Sequence, residues 1–174
     1  MKILNKYSGH IDDQLVYAVS KNDLKYIKSL IENGADVNVY LGAPLRNAAL
    51  FGYLEIVKYL VEKGADIHAN NGNALCAAAY SGYLEIVKYL VENGADIHTD
   101  NGRALKSAVT ENRFSVIKYL IEKGAYPQEE MHIIERLQDQ VLKNNPSSVI
   151  FITNLRKDLK EKYSDLLDLH DIGL

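Results

Sequence analysis

The stretch GYLEIVKYLVEKGADIH, from Gly52 to His68, recurs as GYLEIVKYLVENGADIH from Gly82 to His98 with a single substitution. Looser copies stand before and after it, as NDLKYIKSLIENGADVN from Asn22 and as NRFSVIKYLIEKGAY from Asn112. Successive copies follow at a step of 30 residues. A fixed step of about 20 to 50 residues is the mark of a solenoid, in which similar units stack in a row. The sequence therefore predicts a repeat fold rather than a globular core.

Each unit reads as two short helices. In the second unit, Leu54, Val57, Leu60 and Val61 form an apolar stripe at helical spacing, and the half-unit before it carries small residues around Ala48. We expect the alanine-rich first helices to lie close together in the stack, with the larger residues of the second helices behind them. Glycine or asparagine separates the two helices of each unit, because these residues tolerate a left-handed turn: Asn22, Gly52, Gly82 and Asn112.

Loops of similar length join successive units, and we call them finger loops. They read VNVYLGAP at 37–44, IHANNGNA at 67–74 and IHTDNGRA at 97–104. Each follows a glycine that ends a second helix. The Asn-Gly pairs at 71–72 and 101–102 are typical of tight turns, so we expect compact, projecting fingers.

The repeats account for most of the chain. We assign a leader to residues 1–13 and four repeats to residues 14–38, 44–68, 74–98 and 104–126. The period ends at Pro127, and residues 127–174 carry two further helical patterns. These helices are expected to form a cap that covers the last repeat. The alternative is a separate docking element.

Composition excludes several classes of function. A net charge of −3 gives no basic field for phosphate backbones, so nucleic acid is not the expected partner. One cysteine rules out an internal disulfide framework. No run of about 18 apolar residues suggests a membrane span. We expect a monomeric protein of the cytoplasm.

Residues 14–126 resemble the ankyrin repeat family, on the frame A-L-x-x-A-A-x-x-G-x-L-E-I-V-K-Y-L-V-E-x-G-A-D-I. The 30-residue period, with NAL or RAL at the repeat start, looks most like the ankyrin proteins of giant amoeba-infecting DNA viruses of the mimivirus type. The resemblance implies an all-α solenoid of stacked helix-turn-helix units. The family's usual Thr-Pro-Leu-His start is not kept, because Arg46, Cys76 and Lys106 replace its histidine. The finger loops are also about three residues shorter than a period of about 33 requires, so we expect them to be less rigid.

The resemblance also implies a binding face made by the first helices and the finger loops. The matching positions vary while the frame around them repeats, and Leu50, Phe51 and Tyr80 supply a candidate apolar centre. Alternatively, these residues only pack on one another. The candidate protein-binding residues are Ser20, Lys21, Tyr40, Leu50, Phe51, Asn71, Asn73, Tyr80, Ser81, Asn101, Arg103, Thr110 and Glu111.

Residues capable of chemistry are few. His68 and His98 share a repeat position, but two histidines without a cysteine or carboxylate at ligand spacing make a weak metal site. Cys76 is expected to be partly exposed, and no base stands beside it. No phosphate-binding glycine loop, acid pair or nucleophile triad occurs, so we predict no enzyme, no cofactor and no metal.

Tyrosines recur at one position of the second helix, at residues 59, 89 and 119. We expect them to form a half-buried ladder on the outer surface, with their hydroxyls in water.

The function predicted from these observations is that of a non-enzymatic scaffold for protein–protein interaction. The alternative is a viral adaptor, whose repeats hold a substrate while its C-terminal helices recruit a ubiquitin ligase or another host effector. No F-box-like or cullin-adaptor motif occurs in residues 127–174, which counts against the adaptor.

Overall fold

The computed structural model describes residues 9–125 and Lys157. The chain divides into two units, Met1–Tyr126 and Pro127–Leu174, and the described helices belong to the first. Most of the assigned leader and, apart from Lys157, all of the C-terminal extension lie outside the described residues. The cap or docking element therefore stays a prediction.

Residues 9–125 fold into helices connected by turns, with no strand in that range, which confirms the all-α class. The helices pair in chain order, so that each repeat consists of a first helix, a tight turn and a second helix. Their bounds are α1 Ile11–Ser20, α2 Leu24–Glu32, α3 Val39–Phe51, α4 Leu54–Glu62, α5 Ala69–Ser81, α6 Leu84–Glu92, α7 Thr99–Thr110 and α8 Phe114–Glu122.

The first helices form the close-packed side of the stack. Helix α3 contacts α5 more extensively than α4 contacts α6, and the same holds for α5 with α7. Ala48, Ala78 and Ala108 are completely buried at these contacts. Leu60 and Leu90 of the second helices are also completely buried. The predicted division between small and large residues is therefore found, because only a methyl side chain lets two helix backbones approach so closely.

Helix α1 begins at Ile11, within the segment that the sequence analysis assigns to the leader. His10 provides its N-cap, and its side chain accepts a hydrogen bond from the Asp12 backbone N–H at 3.4 Å. Asp12 and Asp13 lie in the first turn, where carboxylates interact favourably with the positive end of the helix dipole. The first helix of repeat one is therefore as complete as those of its neighbours.

The finger loops differ from the expected projecting fingers. Tyr40, Leu41 and Gly42 all have left-handed backbone angles and form one turn, closed by a 3.0 Å bond from the Gly42 N–H to the Asn38 carbonyl. Residues 70–72 and 100–102 repeat this turn. The loops are too short to form a hairpin, so a single left-handed turn carries the chain to the next first helix. Positive φ angles at both Asn-Gly pairs agree with the tight turns predicted there.

A side-chain amide joins the first repeat to the second. Asn38 donates from Nδ2 to the Gly64 carbonyl at 3.1 Å, and its Oδ1 accepts from the Asp66 N–H at 2.7 Å. Asp12 accepts similarly from the Asp36 N–H at 2.7 Å. Asn38 thus links the first two repeats, and Asp12 links α1 to the end of its own repeat.

The tyrosine ladder of the second helices is half buried, but the hydroxyls of Tyr59 and Tyr119 are not in water as predicted. Within the described residues, the hydroxyl oxygens of Tyr59 and Tyr119 are shielded from solvent and lack a hydrogen-bond partner. Lysines cover the rings: Lys28 Nζ and Lys63 Nζ lie 5.3 and 5.5 Å from the centroid of Tyr59. Burial raises the pKa of Tyr59 and, in the same way, that of Tyr119.

We expect Tyr59→Phe to raise the free energy of unfolding by about 1 kcal/mol, because it removes a buried hydroxyl that has no partner. The raised pKa means that ionisation favours the unfolded chain. The wild type should therefore lose stability as the pH rises above about 10, the ordinary tyrosine value, and Tyr59→Phe should lose less. Urea unfolding at pH 8 and pH 11 measures both effects.

Tyr26→Phe is the matched control, since the Tyr26 hydroxyl donates to the buried Gln14 Oε1 at 2.5 Å. Its removal leaves the Gln14 oxygen without that donor and should cost about 1 to 2 kcal/mol. Equal losses in Tyr59→Phe and Tyr26→Phe would contradict the description of Tyr59 as unpaired.

Candidate protein-binding surface

The structure separates the predicted site residues into two groups at opposite ends of the first helices. The right-handed part of α3 runs from Ala43 to Phe51, so the two groups are about 12 Å apart along the helix axis. The helix-end group comprises Ser20, Lys21, Leu50, Phe51, Tyr80, Ser81, Thr110 and Glu111. The turn group comprises Tyr40, Asn71, Asn73, Asn101 and Arg103.

The aromatic side chains of the helix-end group are exposed. Phe51 is 42% exposed and Tyr80 is 48% exposed, although both follow completely buried alanines in the same helices. Part of this group does pack internally, as the alternative interpretation expects. The ring centroids of Phe51 and Tyr53 are 5.8 Å apart, and Leu50 is half buried. Phe51 and Tyr80 are therefore the better candidates for binding anchors.

Backbone positions in the helix-end group are held by contacts between repeats. The Ser81 hydroxyl donates to the Leu50 carbonyl at 2.8 Å, and Arg113 Nε donates to the Tyr80 carbonyl at 2.9 Å. These carbonyls lie in the last turns of α3 and α5, where no helical N–H remains to bond them. The bonds fix the helix ends of adjacent repeats relative to each other.

Tyr83 and Arg113 belong to this surface but are absent from the sequence-based set. Tyr83 is 41% exposed, and its ring lies over Gly52 of the preceding repeat. Arg113 occupies the equivalent position one repeat later, and its side chain lies over Gly82. The position reads Asp23, Tyr53, Tyr83 and Arg113 along the chain, so its variation was a usable signal. The sequence-based set omits this position because its two middle copies are identical, like the residues of the constant repeat pattern.

Tyr17 extends the aromatic surface into the first repeat. It is exposed, and Lys21 Nζ lies 5.1 Å from its ring centroid, within range of a cation–π interaction.

Ser20 of the predicted set is turned back onto its own helix, because its hydroxyl donates to the Tyr17 carbonyl at 2.7 Å. Thr110 does the same with the Lys106 carbonyl at 3.0 Å. These two hydroxyls are already occupied and are weaker candidates than the aromatic residues.

The turn group is mostly polar. Asn71 and Asn101 are exposed and Asn73 is half buried, while Arg103 lies 3.6 Å from the Asp100 carboxylate. Tyr40 departs from this pattern, being 61% exposed with its hydroxyl donating to Asp13 Oδ1 at 2.5 Å. That hydrogen bond raises the pKa of Tyr40, because ionisation would place a phenolate against a carboxylate.

Neighbouring carboxylates hold the backbone of the two finger-loop histidines. The backbone N–H groups of His68 and His98 donate to Asp66 and Asp96, each at 2.8 Å. The bond from His98 is the main reason why the pKa of Asp96 lies below its ordinary value. Among residues 9–125 no three His, Cys, Asp or Glu side chains are grouped to hold a metal ion. The carboxylates of Asp66 and Asp96 accept these hydrogen bonds within the turn.

Cys76 is buried, so the expectation of partial exposure was wrong. Arg46 and Lys106 stand at the same repeat position and are half buried, because their long stems carry the charged group outward. The short thiol cannot reach the surface from that position. Burial raises the pKa of Cys76, which keeps the thiol protonated at neutral pH.

Comparison with known families matches the chain to the one described as ankyrin repeats (3 copies), over residues 5–71 and 45–131. These matches cover well over half of the sequence and include every repeat seen in the structure. The chain belongs to the ankyrin repeat family. Ankyrin repeats generally mediate protein–protein interaction and are generally non-enzymatic scaffolds.

No curated protein matches the chain, so the likeness to giant-virus ankyrin proteins rests on the repeat period and the NAL and RAL starts alone. Within the described part of the ankyrin chain, no helix is long and apolar enough to cross a membrane.

Proposed function

We propose that this ankyrin repeat protein is a scaffold that binds a protein partner through its helix-end group, with Phe51 and Tyr80 as anchors. The observation that carries the proposal is the run of exposed aromatic side chains across three adjacent repeats. Aromatic residues that stand out of a rigid surface are the commonest high-energy contacts in protein interfaces. Tyr83 and Arg113 extend the same surface and are of the residue types that dominate such contacts.

Rigid presentation is the proposed mechanism. The anchors follow completely buried residues in short helices, and bonds between repeats tie down the carbonyls of Leu50 and Tyr80. Their backbone is already ordered before a partner arrives, so little conformational entropy is lost on association. Side chains with two rotatable bonds add little to that loss.

The NAL and RAL repeat starts and the 30-residue period support a viral origin within the family. A host protein in the cytoplasm of the infected cell is then the expected class of partner. A docking role for residues 127–174 stays a prediction, and no described residue favours the adaptor over the scaffold.

Affinity capture from a lysate of the presumed amoebal host tests the scaffold proposal. The bait is the full chain, compared with the double variant Phe51→Glu/Tyr80→Glu. We expect a protein recovered by the wild type to be lost by the double variant. With the partner purified, single alanine substitutions at Phe51 and Tyr80 should each weaken binding about tenfold, since each removes a central aromatic contact.

Lys25→Glu is the matched control, because it changes the net charge by the same two units on the exposed surface of α2. It should recover the partner as well as the wild type does. Circular dichroism must give equal helical content for all three baits. Equal recovery by the wild type and the double variant would move the interface away from the helix-end group.

A further inference from the structure

The left-handed turn of the second repeat carries apolar side chains where the other turns carry polar ones. Tyr40 and Leu41 occupy the first two positions of this turn. The equivalent residues of the later turns are Asn70 and Asn71, then Asp100 and Asn101. Asparagine and aspartate tolerate left-handed angles, whereas a leucine or tyrosine in that conformation is strained. The second repeat thus has the least suitable residues for its backbone.

Internal packing does not offset this strain. Leu41 is 72% exposed, the largest exposure among the large hydrophobic residues that the structure describes. Tyr40 is 61% exposed, and its hydroxyl bonds to Asp13. Residues held in strained backbone conformations cluster at functional sites, ligand-binding sites among them.

The surroundings of this turn are acidic. Asp13 contacts the Tyr40 hydroxyl, Asp12 accepts from the Asp36 N–H, and Asp36 itself is exposed three residues before α3 begins. His10 Nδ1 lies 3.3 Å from Asp12 Oδ2 and also accepts the hydrogen bond from the Asp12 backbone N–H. A segment that binds here therefore meets an apolar pair beside several carboxylates.

We infer that Tyr40 and Leu41, with Asp12, Asp13 and Asp36, form a second docking surface for a partner protein segment that presents a large apolar side chain next to lysine or arginine. The inference rests on the proposed scaffold function and adds a site that is about 12 Å from the helix-end group. Leu41 is exposed among the residues that the structure describes, so an apolar side chain of the partner segment can cover it. A second copy is disfavoured, because a symmetric contact would bring the same carboxylates together.

The test uses the full chain and a random 12-residue peptide library displayed on phage, with Leu41→Asn for counter-selection. Asparagine is the residue found at positions 71 and 101, so Leu41→Asn should raise Tm by about 2–4 °C rather than unfold the protein. We expect selected peptides to carry a large apolar residue beside lysine or arginine. A synthetic copy should bind Leu41→Asn at least about tenfold more weakly than the wild type, and binding should weaken with salt.

Each other outcome identifies a different occupant or none. Failure to enrich any peptide, or equal affinity for the wild type and Leu41→Asn, overturns the inference. Peptides that depend on Phe51 and Tyr80 but not on Leu41 support the scaffold proposal and reject this second surface. Residues 1–8 contain Lys2, Ile3, Leu4 and Lys6, so tighter peptide binding by Lys2→Glu/Lys6→Glu would make the chain's own N-terminus the occupant. A dimer that Leu41→Asn abolishes would make it a second copy.

Discussion

Replacement of Leu60 by alanine is expected to lower the free energy of unfolding by about 2 to 5 kcal/mol. Leu60 is completely buried in α4, and Leu30 and Leu90 are completely buried at the same position of the flanking repeats. The substitution leaves a cavity in a row of side chains that holds three units together. Urea unfolding followed by far-ultraviolet circular dichroism measures the loss.

The effect should reach beyond the second repeat. In a solenoid each unit contacts only its neighbours, so a defect at an interior position weakens the contacts on both sides. The total stability of a domain is about 5 to 15 kcal/mol, so one cavity removes a large share. Amide hydrogen exchange should show faster opening of α4 and of α3 and α6, the helices that it contacts most.

Leu41→Ala is the matched control for Leu60→Ala. It removes the same atoms from a side chain that is 72% exposed, and the backbone angle stays left-handed in both residues. Exposed substitutions usually change stability by about 0.5 kcal/mol or less. Similar losses in the two variants would show that Leu60 is not a core residue.

The repeat period predicted the helices well, because a stripe of apolar residues at helical spacing can be buried in only one way. It predicted the buried residues of those helices less completely. Leu54 and Val61 belong to the predicted stripe of α4 and are half buried, whereas Ile56 lies outside it and is buried. A helix in a stack packs on its own partner and also on the next repeat, so its buried arc is wider than one stripe.

Three local features could not be read from the pattern. The single left-handed turn depends on the distance between the second helix of one repeat and the first helix of the next. The burial of Cys76 depends on side-chain length, since charged neighbours at the same position reach outward. The covering of the Tyr59 ring depends on Lys28 and Lys63 from two different repeats. Each feature depends on distances in the folded chain, which residue type and spacing do not give.

The candidate surface was half predictable for a related reason. Variation within a constant frame pointed to Phe51 and Tyr80, both of which are exposed. The same criterion does not select Tyr83, because its copy in the previous repeat is also tyrosine. It does not select Leu41 either, because the turn at Leu41 lacks the Asn-Gly pair of the later turns. Strain at Leu41 is visible only when the backbone angles are known.

Gly52→Ala is expected to lower the free energy of unfolding by about 2 to 5 kcal/mol. Gly52 joins α3 to α4 at φ 81°, a left-handed angle that alanine adopts at a cost of about 1 to 2 kcal/mol. A Cβ atom there would also lie 2.5 Å from Cζ of the Tyr83 ring, which packs across from the next repeat. The ring or the turn must move, and either movement separates two repeats at the helix-end group.

Alanine substitutions at two other glycines separate the cost of the backbone angle from the cost of the clash with the next repeat. Gly64 has φ 88° and no neighbour near its Cβ position, so Gly64→Ala should show the backbone cost alone. At Gly82 the Cβ would approach Arg113 Cδ at 2.7 Å, but a flexible arginine can move aside, so Gly82→Ala should fall between the other two. Introducing Gly52→Ala into a Tyr83→Ala background should cost no more than Gly64→Ala. If the cost there equals that in the wild type, the backbone angle rather than the ring makes Gly52 necessary.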